Sequence, residues 1–346
     1  MPAPAQDARA LVIQTAFLGD IVLTTPLLAA LAARHGPVDV ITTPVAAPLL
    51  ETHPAVRQVI AYDKRGTDRG WAGVRRLAAR LKAEQYERAY LPHRSLRTAA
   101  LAFLARIPAR IGFSGGWSFL YTETRPKPRT GHESDRLLAL ADERSGVYRP
   151  QLRPTAEDER VAQGMWNEIA QDPGVPFVAL APGSIWGSKR WPYYPELAHR
   201  LAARGIPVAV VGGSDDAGLG SEIVAAAGAA QRVTAISTCG RLTLRQSAAL
   251  ISQAAVLVTN DSAPLHLATA MGTPIVAIFG PTVPEFGFGP VRAGDVSLGM
   301  AGLQCRPCSS HGPLQCPLGH HRCMRDLTVE AVVAAIEDLG ALRRRS

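Results

Sequence analysis

The sequence is poor in charge, in aromatic rings and in cysteine, and it contains no long apolar run. Charged residues make up 19% of its 346 positions and aromatic residues 6%, where an average globular domain carries roughly 25% charge. No stretch approaches the 18 or so consecutive apolar residues that a bilayer span requires, so no transmembrane helix is expected. The first residues, "MPAPAQDARALVIQ", lack the basic flank, apolar core and small-residue cleavage site of a secretory signal. Of five cysteines, four are crowded between 305 and 323, which is not the framework of a secreted disulfide-stapled domain. A cytoplasmic protein is therefore expected. Zinc-finger, RNA-recognition and aromatic-basic patterns are missing, so nucleic acid is not an expected partner. Three phosphate motifs are missing too. There is no G-x-G-x-x-G dinucleotide fingerprint and no G-x-x-x-x-G-K-[ST] loop, and no D-x-D pair offers ligands for a metal-bridged diphosphate.

What the chain does have is apolar substance and positive charge. Hydrophobic residues are 47% of the total, ample for two cores in a chain of this length. Lys and Arg outnumber Asp and Glu by 37 to 29, a net charge of +8 that favours anionic partners such as a nucleotide or an acidic membrane surface. Short Val/Ile-rich runs at 10–15, 38–43, 56–62, 88–93 and 109–113 alternate with helical patterns, and runs at 177–183, 207–213, 232–237, 255–261 and 274–280 repeat the arrangement. Strands that are apolar without alternation, separated by helices, predict parallel sheets covered on both faces. Two such series predict two doubly wound domains facing a central cleft, with ligands beyond the carboxyl ends of the strands. The first domain is expected to end near 170, the second to span 171–326, and 327–346 to form a C-terminal helix and basic tail.

Five places can carry chemistry. Asp20, in "TAFLGDIVLTTP", follows the first strand; it is either a helix cap or a base at the floor of a cleft. Pro26 either kinks a helix begun at Asp20 or starts a new one with Thr25 as its cap. The segment "APGSIWGSKRWP" (181–192) offers free backbone amides, Ser184 and the cation Lys189 at a strand end, a suitable setting for phosphate oxygens. In "VTNDSAPLHLATAMGTP" (258–274), Asp261 ends a strand and Ser262 begins a helix, with His266 one turn on; a helix N-terminus suits a pyrophosphate. In each case the plainer reading, a solvated loop or a simple cap with a core histidine, stays open. Lys64, Arg65, Arg94 and Arg97 follow strands of the first half and are either surface charge or a site for an anionic acceptor. Last, "CRPCSSHGPLQCPLGHHRC" sets Cys305, Cys308, Cys316 and Cys323 at spacings compatible with a closed structural zinc site, with free thiols, or with disulfides.

Together, "FLGDIVLTTPLL", "YDKRG", "LPHRSLRTA", "APGSIWGSKRWP" and "TNDSAPLHLATAMGTP" resemble bacterial glycosyltransferase family 9 across nearly the whole chain, and within it the ADP-heptose:lipopolysaccharide heptosyltransferases of type II. The cysteine-rich segment is similar to one found in members of that group. The resemblance implies a GT-B fold with an N-terminal acceptor domain and a C-terminal donor domain. It implies inverting, metal-independent transfer of heptose from ADP-L-glycero-D-manno-heptose to the lipopolysaccharide inner core, with no required cofactor. By position, Asp20 matches the proposed general base, Lys189 and Ser184 the donor-diphosphate loop, and Asp261, Ser262, Ala263 and His266 the donor-binding run. That run often reads D-[ST]-G; here Ala263-Pro264 stands in place of the glycine. Lys64, Arg65, Arg94 and Arg97 are then expected on the acceptor. The net charge and the "LRRRS" terminus suit peripheral association with the inner face of the cytoplasmic membrane. A family 9 transferase for another sugar or acceptor, and a GT-B nucleotide-sugar epimerase, are the competing expectations.

Overall fold

The computed structural model describes residues 9–167, 175–230, 234–340 and 342. It divides into two compact units, Met1–Arg153 and Pro154–Ser346. The first contains β1 (Ala10–Ile13), β2 (Val38–Thr42), β3 (Val56–Ala61), β4 (Arg88–Leu91), β5 (Ala109–Phe113) and β6 (Glu123–Arg125). They form one sheet in the order β3-β2-β1-β4-β5-β6, every pair parallel. The second contains β7 (Val178–Ala181), β8 (Val208–Val210), β9 (Ala235–Ser237), β10 (Val256–Asn260), β11 (Ile275–Ile278) and β12 (Val296–Leu298). Its order is β12-β11-β10-β7-β8-β9, again all parallel. Each sheet thus has the same doubly wound order, and its direction of winding reverses between β1 and β4 in one unit and between β7 and β10 in the other. These reversals are the switch points at which such folds bind ligands.

The expected lack of alternation in the strands has a direct cause. On β1, Val12 packs with Leu27, Leu28 and Leu31 of the helix Thr25–His35, while Leu11 and Ile13 pack with Val74, Leu77 and Leu81 of the helix Gly70–Ala83 on the other face. Successive side chains of a strand point to opposite faces, and here both faces are covered. In the second unit Val178 and Leu180 pack against Leu197 and Leu201 of the helix Tyr194–Ala203 and against Val332, Val333 and Ile336.

The strands β6 and β12 were not foreseen. Each is a three-residue edge strand, half-buried at best, reading Glu-Thr-Arg and Val-Ser-Leu; such segments carry no apolar run to mark them. The division between units also falls ahead of the expected position. The helix Ala156–Asn167 begins in a reciprocal cap, with Asp158 Oδ2 accepting from Thr155 N at 2.9 Å and Thr155 Oγ1 at 2.7 Å. The same carboxylate accepts from Arg245 Nε at 2.9 Å, which ties this helix to Leu244–Gln253 of the second unit. Likewise the helix Val329–Asp338 contributes to the second unit's core and is not a separate part. The expected ends of two elements, 168–171 and 232–233, lie outside the described residues, as does 343–346 of the basic tail.

Candidate functional site

In the first unit Asp20 occupies the first turn of the helix Leu18–Leu23, directly beyond β1. Its Oδ2 accepts the Phe17 N–H at 3.1 Å, so the residue does cap its helix, and it remains half-exposed. The helix then breaks. Thr24 Oγ1 donates to the Asp20 carbonyl at 2.7 Å and accepts from Gln14 Nε2 at 3.2 Å, and Pro26 sits in the first turn of Thr25–His35 with Thr24, not Thr25, at the N-cap.

The loop after β3 folds back on this turn. Asp63 accepts from the backbone of Gly66 at 2.8 Å and of Thr67 at 3.2 Å, which rounds the loop and carries Lys64 inward. Lys64 Nζ donates to the carbonyl of Thr15 at 2.5 Å, and Arg97 Nη1 donates to the Lys64 carbonyl at 3.3 Å. Burial, then the charges of Arg65 and Arg97, lower the Lys64 pKa. Three of the four expected basic residues therefore share one electrostatic cluster beside the Asp20 turn. Arg94 is exposed and lies instead against Gly115, its guanidinium carbon 4.0 Å from where a Cβ there would stand.

Two members of this cluster were missed in the sequence. His93 follows β4, the strand paired with β1 across the switch point. Burial first, then the charges of Lys64 and Lys127, hold its pKa below the ordinary histidine value, and its Nδ1 is buried with no hydrogen-bond partner among the described residues. Lys127 comes from just beyond β6, bonded to Glu133 Oε1 at 2.5 Å and 5.4 Å from the centroid of the Phe113 ring. It could not be placed without the unforeseen edge strand.

In the second unit the expected donor residues converge more closely. Thr259 pairs with Ala181 in register, so the loops beyond β7 and β10 leave the sheet side by side. Asn260 ties them together: its Nδ2 donates to the Pro182 carbonyl at 2.8 Å and its Oδ1 accepts from Trp191 N at 3.2 Å and Tyr194 Oη at 3.3 Å. Lys189, in the short 3-10 turn Gly187–Lys189, is brought to Asp261 with Nζ–Oδ2 at 2.6 Å; the two side chains are 8% and 11% exposed. Thr282 Oγ1 donates to the same oxygen at 2.6 Å. Asp261 is thus paired with a cation, which explains a carboxylate at a site otherwise suited to anions. Thr282 lies beyond β11 and had no motif to announce it.

Ser184 is buried, and its Oγ accepts from Trp186 N at 3.2 Å, bending the loop. Ser262 is the N-cap residue of the helix Ala263–Met271 without a side-chain capping bond. Pro264 has no N–H, and that of Leu265 already meets the Ser262 carbonyl at 3.1 Å. This helix end therefore offers fewer first-turn amides than it would with a glycine in place of Ala263-Pro264. His266 is buried, with its ring centroid 6.2 Å from that of Phe288.

The cysteine-rich segment braces this site. Arg306 donates to the carbonyls of Gly280, Met300, Phe279 and Thr282 at 2.5, 2.6, 3.0 and 3.0 Å. Ser188 donates to the Pro313 carbonyl, His321 Nε2 meets the Ser188 carbonyl at 2.7 Å, and a Cβ on Gly312 would stand 3.2 Å from Lys189 Cε. All five cysteines are free thiols. Cys323 is buried and Cys308 exposed; burial and the neighbouring thiols raise both, Cys323 to about 11. Metal ligation needs thiolates converging on one point. Among the described residues no group of three Cys, His, Asp or Glu is set to hold a metal ion, although the thiols of Cys305, Cys308, Cys316 and Cys323 lie near enough to raise one another.

The family model for glycosyltransferase family 9 (heptosyltransferase) matches residues 74–317. Lipopolysaccharide heptosyltransferase 2 of Salmonella typhimurium (strain LT2) is 29% identical over 84% of this chain and 92% of its own. The structure of the Escherichia coli ADP-heptose lipopolysaccharide heptosyltransferase II superposes with a TM-score of 0.77 at 27% identity, over 96% of this chain and 98% of that one. A glycosyltransferase family 9 structure from Veillonella parvula DSM 2008 gives a TM-score of 0.84 at 24% identity, covering 96% of this chain and 97% of that one. Both superpositions span the two Rossmann-like units, the domain pair of the GT-B class.

Proposed function

Because the chain belongs to glycosyltransferase family 9, we propose that this glycosyltransferase moves heptose from ADP-L-glycero-D-manno-heptose to the lipopolysaccharide inner core, on an acceptor of the heptosyl-Kdo2-lipid A type. Transfer inverts the anomeric carbon and needs no metal ion. The second unit takes the ADP-sugar and the first the acceptor. The observation that carries the reading is the buried ammonium of Lys189, fixed by Asp261 at the carboxyl ends of β7 and β10.

The acceptor hydroxyl oxygen attacks the anomeric carbon from the face opposite ADP. The bond from that carbon to the diphosphate oxygen breaks, ADP leaves with the electron pair, and the hydroxyl proton passes to the Asp20 carboxylate. Such general-base help is worth roughly 10²–10⁴-fold. Two of the three ammonium N–H groups of Lys189 remain to meet the charge growing on the departing diphosphate, and this is transition-state electrostatics rather than simple binding. Ser184, Ser262, the amide of Ala263 and His266 complete the donor contacts. Lys64, Arg65, Arg94 and Arg97 bind acidic groups of the acceptor, the Kdo carboxylates and the lipid A phosphates. Because that acceptor is anchored in lipid and the net charge is +8, the protein works from the cytoplasm at the inner face of the membrane.

The test is transfer from ADP-heptose to heptosyl-Kdo2-lipid A in the presence of EDTA, wild type beside Asp20→Ala. Product from the wild type, and a loss of at least about 10²-fold in the folded variant, are expected. Full activity in the variant returns Asp20 to helix capping alone. No product from folded wild type overturns the substrate.

A further inference from the structure

The outer edge of the first sheet carries an exposed band of aromatic and basic side chains that neither the donor nor the acceptor residues use. Phe103 and Leu104 close the helix Leu96–Leu104, and Trp117 and Phe119 stand on the loop between β5 and β6; all four are exposed, Phe119 by 73%. They are one continuous surface. The Trp117 and Phe119 rings meet edge-on at 6.0 Å. Arg110 Nε donates to the carbonyl of Leu120 at 2.8 Å, and the same guanidinium lies 5.5 Å from the centroid of the Phe103 ring. At its other end the band reaches Gly115, against which Arg94 rests.

The charge of this stretch has one sign. Between positions 88 and 122 there are five arginines, Arg88, Arg94, Arg97, Arg106 and Arg110, and no aspartate or glutamate. Arg106 is exposed, while the half-buried Arg110 lies by the Phe103 ring with its guanidinium donating to the carbonyls of Ile107 and Leu120 at 2.6 and 2.8 Å; amphipathic or apolar rings beside such arginines match the boundary between headgroups and acyl chains. A protein partner covering the same rings would meet the charges of Arg106 and Arg110, with the exposed Arg94 at the band's end, whereas an anionic lipid surface neutralises them.

We propose that the band Phe103–Leu104, Trp117 and Phe119, with Arg106 and Arg110, is the face by which the first unit seats on an anionic phospholipid surface, and that Arg94 stands where this face adjoins the acceptor cluster. The proposal rests on the membrane-anchored acceptor of the proposed function and names the surface that reaches it.

The experiment is flotation of the full chain with phosphatidylethanolamine–phosphatidylglycerol vesicles against pure phosphatidylcholine vesicles, for wild type, Trp117→Ser/Phe119→Ser and Arg106→Gln. Wild type floats with the anionic vesicles. The double variant, which melts like wild type because both rings are exposed, loses at least about tenfold in partition. Arg106→Gln loses about fivefold on anionic vesicles only. Transfer to lipid acceptor embedded in vesicles falls in step, while transfer to a de-acylated, water-soluble acceptor holds. Equal partition of wild type and double variant overturns the proposal. So does a wild type that ignores both vesicles, or a double variant whose only loss is concentration-dependent self-association, which would mark the face as a contact between copies. Failure of wild type on the soluble acceptor sinks the function instead and leaves the vesicle result standing.

Discussion

Replacing Asp261 by asparagine isolates the node on which the donor site is built. The side chain keeps its shape and can still accept from Thr282, but the charge opposite Lys189 is gone. With the two side chains 8% and 11% exposed and 2.6 Å apart, this is a buried pair, and removing one partner of such a pair costs about 3–5 kcal/mol because the other charge is left uncompensated. The retained hydrogen bond puts Asp261→Asn near the lower end, about 3 kcal/mol, or roughly 10²-fold in the unfolding equilibrium. Lys189→Met leaves the opposite orphan and should cost about as much. The double variant Lys189→Met/Asp261→Asn buries no charge, so it should be less destabilised than the sum of the singles by about 2 kcal/mol or more. Urea unfolding followed by tryptophan fluorescence reads this, since Trp186 and Trp191 flank Lys189 in the chain. The two units are expected to melt separately, so the transition to fit is that of the second. If the two single effects add to within about 0.5 kcal/mol, the ion pair is solvated in effect and the reasoning from its burial is wrong. Lys189→Met should also lower kcat/KM by about 10²–10³-fold, whatever the stability result.

The remaining expectations concern two histidines of the first unit. His53 is buried and accepts the Ala55 N–H through Nδ1 at 3.2 Å; burial first, then the charge of Arg153, lower its pKa to about 4. The unfolded chain therefore binds more protons between about pH 6.5 and pH 4, so this stability is complete above about 6.5 and lost as pH falls toward 4, on the order of 3 kcal/mol in all. Unfolding at pH 7 and pH 5 should show a smaller acid loss in His53→Asn than in wild type, and equal slopes would refute the assignment. His93→Leu should remove a buried orphan nitrogen, raising stability by about 1 kcal/mol, while raising the acceptor KM about 5- to 50-fold and leaving the ADP-heptose KM unchanged. A rise in both KM values would make His93 a general structural support.

Much of the architecture was legible because its cause is local and repeated. Apolar strands without alternation, helices between them and turn residues at their ends identify parallel sheets wherever both faces are covered. Strands β6 and β12 escaped because an edge strand of three residues buries too little to leave a pattern, and Lys127 escaped with β6. That the helix Ala156–Asn167 goes with the second unit is not legible in the sequence, since the contact that ties it there, Asp158 with Arg245, joins residues far apart in the chain. Asp20, Lys189 and Asp261 were visible as strand-end residues in recognisable runs. Thr282, Asn260 and Arg306 were not, because each acts on a partner from a different loop.

Two doubly wound parallel sheets and the residues that end their strands at each switch point follow from hydrophobic period and short-range spacing, and the family resemblance from the five quoted runs. It took the folded chain to show that Asp261 pairs with Lys189, that the cysteine-rich segment braces the loop beyond β7, and that a band of rings and arginines shares one edge. Those outcomes depend on which loops the parallel order brings side by side. Burial, which turns a nearby charge into a strongly felt one, exists only after the chain has closed around it.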